Sequence, residues 1–305
     1  MQHNSHLFPN EHLPFILKER TQKEKIVFIS QNHSFLEHIY NNLHFLNVEA
    51  DILSPRFTPH INHHALDDHT FLKHYIQSFE EQKSVTLLHS ALLALPMPMP
   101  DLYGSLKIET GQNISITEIA KTLADFGYTS CATVHNPAEF ALRGYIIDFA
   151  TTQQNIRIEF AGNRIESIKL FDEETQRSLE NISFTIIYPN RFLLPSFCEK
   201  EKFQARYQIA FQEPNPELYT MIEHHPESCD INKYTKLLTK QIINILEIFD
   251  GNILLHNMTA EYITQQKEVQ FFEKQHNIPH GALYFTPSEL TATLQKKDVE
   301  TISTL

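Results

Sequence analysis

The sequence predicts an α/β protein in which a parallel layer is interrupted by a mainly antiparallel α+β segment, and three observations carry that prediction. Toward both ends of the chain, short β-branched and aliphatic runs alternate with helical patterns, as strands buried on both faces of a parallel sheet do. Between about residues 130 and 187 the apolar spacing changes to period two, the signature of strands with one wetted face. The change of pattern begins at the proline punctuation Pro96–Pro100 (PMPMP). At 305 residues the chain also exceeds what one hydrophobic core organises. The predicted domains are 1–96 and 195–305, two parts of one α/β domain, with 97–194 inserted between them.

Lys25–Ser30 (KIVFIS) reads as a buried strand. Ser34-Phe35-Leu36-Glu37 then reads as a capping box opening a helix with Leu36, Ile39, Tyr40 and Leu43 on one stripe. Val48–Leu53 and Val85–His89 supply two further strands separated by helical pattern. A second capping box, Ser115-Ile116-Thr117-Glu118, starts a helix that Gly127 ends. Phe140–Phe149, Ile156–Phe160, Arg164–Phe171 and Ile182–Ile187 follow as strands, with turns at Ala161-Gly162-Asn163 and Asp172–Gln176. In Ile156–Phe160 the side chains of Arg157 and Glu159 face away from the Ile/Phe face. From about Pro195 the helical grammar returns. Tyr234, Leu237, Leu238, Ile245, Leu246 and Phe249 mark one long helix ended at Asp250-Gly251. Asn252–Leu255 is a strand, Tyr262–His276 a helix, Ala282–Phe285 a strand, and Thr286-Pro287-Ser288-Glu289 a third capping box with proline at the first helical position.

Lysine and arginine total 25 against 37 aspartates and glutamates, so the net charge is 25 − 37 = −12 with histidine neutral. A protein that neutralises many phosphates needs a basic surface, so weak or no direct DNA binding is expected. No tryptophan and no basic-aromatic stripe point the same way. Cys131, Cys198 and Cys229 are too far apart for a Cys-x-x-Cys knuckle and odd in number, which fits a reducing cytoplasm. The start MQHNSHLFPNEHL lacks a cationic segment followed by an apolar run, and the longest apolar stretches lie near Ala91–Leu95 and Ile253–Leu255, so a cytoplasmic protein without membrane contact is expected.

The seven glycines, at 104, 111, 127, 144, 162, 251 and 281, never form the Gly-x-x-x-x-Gly-Lys-Ser/Thr loop that cradles phosphates, nor a Gly-x-Gly-x-x-Gly dinucleotide turn. A Gly-x-Ser-x-Gly elbow and a His-Glu-x-x-His zinc helix are missing too. No enzyme and no cofactor are therefore expected. His60, His63, His64, His69 and His74 cluster after Pro55 and Pro59, where a helix would bring His60 to His64 and His69 to Asp67. No cysteine or glutamate completes a ligand spacing, so the segment reads as a solvated connection and no metal is assigned. Cys131 and His135, placed on one strand, would stand about 13 Å apart, too far for a nucleophile and its base.

Residues 137–178, PAEFALRGYIIDFATTQQNIRIEFAGNRIESIKLFDEETQRS, carry a specific set of motifs. These are Glu139-Phe140 followed by Arg143-Gly144, the Ile146–Asp148 strand, Arg157–Phe160, Ile165–Ile168, and Phe171–Ser178 ending in Thr-Gln-Arg-Ser. Together they resemble the UvrB-homology module of the bacterial transcription-repair coupling factors. The lead-in Gly111-Gln112 to Ser115, the helix, and Gly127-Tyr128 resemble the family's entry into that module, and the outer lobes resemble its amino-terminal region. The resemblance implies a degenerate UvrB-like, helicase-derived parallel α/β domain without ATPase motifs, split by an inserted UvrA-interaction domain. It implies recruitment of UvrA, the damage-recognition ATPase of nucleotide excision repair, with Arg143 and Arg157 pairing to acidic UvrA residues and Phe160 on the partner surface. Arginine suits that task because its planar fork binds carboxylates bidentately and is weakly hydrated.

Two positions depart from the family pattern. Ala138 stands where Gly-Glu-Phe is usual, and Ala161 stands where a second phenylalanine contributes to the partner surface. Losing an aromatic anchor costs about 2–4 kcal/mol of binding, so weakened UvrA affinity is expected. The RNA-polymerase-binding, translocase and carboxy-terminal domains of the family have no counterpart in the 305 residues. The resemblance therefore predicts a non-catalytic adaptor truncated before those domains, its interaction face unmasked, with a separate chain carrying the translocase domains as a second candidate partner. The competing expectation is a decayed or split-gene fragment with no binding activity of its own.

Overall fold

The computed structural model describes residues 6–54, 69–224 and 231–304. In chain order the elements are β1 (His6–Phe8), α1 (Leu13–Arg20), β2 (Ile26–Ser30), α2 (His33–Phe45), β3 (Ala50–Leu53), α3 (His69–Glu80), β4 (Val85–His89) and β5 (Met97–Pro98). Then come β6 (Leu106–Glu109), α4 (Ile116–Asp125), β7 (Thr129–Ser130), β8 (Glu139–Arg143), β9 (Ile146–Ala150), β10 (Asn155–Ala161), β11 (Arg164–Phe171), β12 (Ser178–Ile182) and β13 (Phe184–Ile187). The remainder is α5 (Lys200–Phe211), α6 (Pro216–His224), α7 (Thr235–Leu238), β14 (Ile242–Ile243), β15 (Asn252–His256), α8 (Ala260–Gln265), α9 (Lys267–Gln275), α10 (Pro287–Leu294) and β16 (Val299–Thr304). These elements divide into two units. One is drawn from 6–54, 74–101, 197–224 and 231–304, the other from 69–73 and 102–196.

The first unit is built on a six-stranded, wholly parallel sheet in the order β1-β16-β15-β2-β4-β3. Every residue of β2 is buried, which is why its sequence, IVFIS, is an unbroken apolar run closed by one serine. Leu13 and Leu17 of α1 and Leu36, Ile39 and Leu43 of α2 pack with Phe28, Leu87 and Leu254. The cap of α2 is Asn32, whose side chain accepts from the Phe35 amide at 2.9 Å, so the helix begins two residues before the start that the Ser34 capping box predicts.

Four elements of this unit differ from the sequence expectation. The long helix ending at Asp250-Gly251 is instead a 3₁₀ turn at Ile231–Tyr234, the single turn of α7, strand β14 and a 3₁₀ turn at Ile245–Glu247. Thr239 is extended, β14 pairs with β5, and Asn244 both caps Leu246 and donates to the Leu93 carbonyl. The apolar residues are buried as expected, but by several short elements whose spacing imitates a helical period. The helix expected over Tyr262–His276 is broken into α8 and α9 at Gln266, which adopts a left-handed conformation with φ 46°. Ala282–Phe285 forms a turn rather than a strand, and the sheet is completed by β16, which the sequence reading missed because its alternation of polar and apolar residues is weak.

The second unit carries a six-stranded sheet in the order β12-β11-β10-β9-β8-β7, antiparallel throughout except for the β7–β8 pair. The capping box at Ser115 and Glu118 starts α4, and Gly127 follows its end at φ 90°. Ile119 and Leu123 of α4 pack on Ile147, Phe149, Ile156, Ile158 and Phe160. The single strand expected over Phe140–Phe149 is a hairpin, β8 and β9, because Gly144 takes φ 62° as the first residue of a two-residue turn. The Ile182–Ile187 strand is likewise split: β12 ends at Ile182 and β13 pairs with β6. Cys131 lies in the loop after β7, with its sulfur 3.2 Å from the Thr133 carbonyl.

Among the described residues no group of three His, Cys, Asp or Glu side chains could hold a metal ion, and no helix is long and apolar enough to cross a membrane. His60, His63, His64 and Asp67 lie outside the described residues, as does the side chain of His69. His74, on α3, sits with Nδ1 3.9 Å from Asp51 Oδ1.

Candidate interaction face of the antiparallel sheet

Strand alternation sorts β10 into two sets. Ile156, Ile158 and Phe160 point to the core, and Arg157 and Glu159 point to the other face. The hairpin register sets Arg157 directly opposite Asp148 of β9, and Ala141 of β8 opposite Asp148 on its other side. A small residue at 141 leaves space over the strand, and Arg143, two residues on, shares the face.

Asp148 is the centre of the arrangement, with none of its side chain exposed. An ionised carboxylate in that position is costly unless paired with good geometry. Arg157 donates to it side-on, Nε to Oδ1 at 2.8 Å and Nη2 to Oδ2 at 2.9 Å. Arg143 donates to Oδ2 through Nη2 as well. Two guanidiniums therefore converge on one carboxylate, leaving one positive charge in excess.

The two arginines differ in what remains. Arg157 has a side chain only 13% exposed, and its Nη1 donates to the Gln176 carbonyl at 3.1 Å and to Ser178 Oγ at 3.3 Å. Its guanidinium carbon stands 5.1 Å from the ring centroid of Phe171, which belongs to a small apolar cluster with Val134, Ala141 and Ala150 on this face. Arg143 is 41% exposed, and among the described residues its Nε and Nη1 make no hydrogen bond. Arg157 is thus fully engaged within the sheet, and Arg143 is anchored by one nitrogen while the others face solvent.

The surrounding loops are tied to the same network. Asp172 Oδ1 accepts from the Thr175 amide and hydroxyl at 2.8 and 2.6 Å, closing the turn that leads to Gln176. Gln176, left-handed at φ 59°, donates from its amide to the Val134 carbonyl at 3.0 Å. Glu139 accepts from the backbone amides of His135 and Asn136 at 2.8 and 2.9 Å, and these donors, His135 first, hold its carboxyl below the usual range. Glu159 is held low by Lys169 and Ser167, whose side chains donate at 2.6 and 2.7 Å. These carboxylates are occupied in holding loops and strands.

Of the residues the resemblance placed on the partner surface, Phe160 is a core side chain, 5% exposed and packed with Ile119, Ile147 and Ile158. Its position in the strand alternation requires this. The neighbouring outward position is Ala161, which is exposed. Asp148 and Gln176 are the partners that motif matching alone did not connect to the arginines. The hairpin turn between Ala150 and Asn155 was the available signal, because fixing that register puts 148 opposite 157.

Residues 106–192 match the UvrB interaction domain family. The chain is 23% identical over 304 residues to the transcription-repair-coupling factor of Rickettsia conorii, covering 93% of this chain and 27% of that protein. It is 30% identical over 172 residues to the transcription-repair-coupling factor of Borreliella burgdorferi, covering 54% of this chain and 15% of that protein. Over 87 residues it is 33% identical to the UvrABC system protein B of Thermotoga neapolitana, covering 28% of this chain and 13% of that one. The chain thus spans about a quarter or less of the length of these curated relatives.

Proposed function

We propose that this chain, which matches the UvrB interaction domain over residues 106–192 and is similar over nearly its whole length to one transcription-repair-coupling factor, is a non-catalytic adaptor of nucleotide excision repair that recruits UvrA. The observation that carries the proposal is Arg143. It is anchored to a fully buried carboxylate, half exposed, and has donors left over for an acidic partner. A guanidinium held in place by one nitrogen loses little rotamer freedom on binding and presents its remaining fork to a carboxylate. Arg157 supports it from below, filling the other side of Asp148 so that Arg143 is not drawn wholly into the sheet. The parallel unit, by its likeness to the same relatives, is read as a UvrB-like lobe of helicase descent.

Calorimetric titration of the full chain with the UvrA of the same organism tests this. Binding in the micromolar range or tighter is expected, weakened at least tenfold in Arg143→Ala, which corresponds to about 1.4 kcal/mol or more. Binding should also weaken with added salt. Absence of binding by the unsubstituted chain would overturn the adaptor reading and favour a fragment without activity of its own.

A further inference from the structure

We propose that the docking surface extends past Arg143 to the end of the antiparallel sheet where two hairpin turns meet, with Tyr145 as its aromatic anchor and Arg164 as a second cation for an acidic protein partner. This rests on the reading of Arg143 above and names residues that the reading does not include. The β8–β9 and β10–β11 hairpins turn at the same end of the sheet, and the Phe160 amide donates to the Tyr145 carbonyl at 2.9 Å, so the turns are neighbours. Each is a two-residue turn with glycine in the first position, Gly144 at φ 62° and Gly162 at φ 64°. Such turns are short and stiff, and they fix the direction of the side chains they carry.

The side chains at this end form a coherent set. Tyr145 is 70% exposed. A large aromatic held in water on a tight turn contributes nothing to the core, and arginine and tyrosine are the residue types that anchor interfaces. Arg164 is exposed at the other turn. Neither 142–146 nor 160–165 contains an aspartate or glutamate, although the whole chain carries a net charge of −12. The end of the sheet is therefore a local basic and aromatic edge on an acidic protein, suited to a carboxylate-bearing surface with an apolar recess. Ala161 lies between these groups without an aromatic ring of its own, and Tyr145 on the adjacent turn supplies one.

The test is calorimetry of the full chain with UvrA for the unsubstituted protein, Tyr145→Ala, Arg164→Ala, Arg143→Ala, and Tyr145→Ala combined with Ala161→Phe. Tyr145→Ala is expected to weaken binding about tenfold. Arg164→Ala should weaken it about threefold and make it less sensitive to salt. The combined variant should regain most of the loss, since it returns a ring to the same edge. The melting temperatures of Tyr145→Ala and Arg164→Ala should stay unchanged because these side chains are exposed. If Tyr145→Ala and Arg164→Ala bind within twofold of the unsubstituted chain while Arg143→Ala loses affinity, this extension falls and the arginine reading stands. If the unsubstituted chain does not bind, both fall.

Discussion

The two six-stranded sheets of this molecule use the same kinds of residues to opposite ends. In the parallel sheet, β2 is buried along its whole length, and both its faces are spent on packing. In the antiparallel sheet, β10 alternates, one face closing on α4 and the other free to carry Asp148, Arg157 and the neighbouring Arg143. A parallel sheet covered on both sides has no face to offer a partner, whereas a half-covered antiparallel sheet has one by construction. The difference explains why the candidate site lies on the antiparallel sheet, and why its polar groups are organised around a single buried carboxylate.

The comparison is most sharply broken by removing that carboxylate. Asp148→Ala leaves two guanidiniums without their acceptor, one of them nearly buried, and is expected to destabilise the antiparallel unit by about 3 kcal/mol. Hydrogen exchange should show faster opening of β9 and β10 amides, with those of β2 and β4 unaffected. Equal acceleration in both sheets would show that the units do not open separately. Arg143→Ala, partly exposed and bonded through one nitrogen, should cost less than about 1 kcal/mol of stability while abolishing most of the binding.

A smaller effect of opposite location comes from His256 at the end of β15. Its ring bonds Ser30 Oγ at 3.1 Å and Thr304 Oγ1 at 2.9 Å and stacks on Phe35 at 4.3 Å. Burial lowers its pKa to about 4 from an ordinary 6.5. The folded state binds the proton less readily than the unfolded one, so the stabilisation is complete above pH 6.5 and is lost as pH falls toward 4. With solvent screening the loss is about 1–2 kcal/mol. Denaturant melts at pH 7 and 4.5 should therefore differ more for the unsubstituted chain than for His256→Gln. That difference isolates the histidine from Asp51, whose burial raises its carboxyl and acts in the opposite direction with pH.

Two further substitutions are expected to give gains. Ala138 is held at φ 65°, in a region that favours glycine, and Ala138→Gly should stabilise the antiparallel unit by about 1 kcal/mol. In the parallel unit Gln266 is left-handed at φ 46°, buried, and neither atom of its amide has a hydrogen-bond partner among the described residues. Gln266→Gly removes both the strain and the orphaned amide, and about 1–2 kcal/mol of stabilisation is expected in thermal melts. A loss in either variant would mean that side-chain packing outweighs backbone strain at that position.

Ala138 also shows how sequence and structure divide the explanation. The departure from a family glycine was visible in the sequence, but the left-handed φ that makes it costly belongs to the loop held by Glu139. Phe160 shows the converse. Its position in the motif pointed to the partner surface, yet strand alternation turns its ring inward. The false helix ending at Asp250-Gly251 arose because short elements buried apolar residues at helical intervals, a pattern that local periodicity cannot distinguish from one continuous helix.

By itself the sequence determined what depends on neighbours along the chain: the apolar run of β2, the capping boxes at Ser115 and Thr286, the alternation of β10, and the turn at Ala161-Gly162-Asn163. Only the tertiary structure decided which strands pair, that Arg157 faces Asp148 across a hairpin, that Gln176 closes over the same face, and that Arg143 is engaged through Nη2 alone while all three nitrogens of Arg157 are engaged. The physical reason is range. Caps, turns and alternation are set within a few residues by backbone sterics and local hydrogen bonds. The pairing and exposure of an arginine are set by residues up to 33 positions away along the chain, as Gln176 is from Arg143, and those are brought near only when the sheet closes.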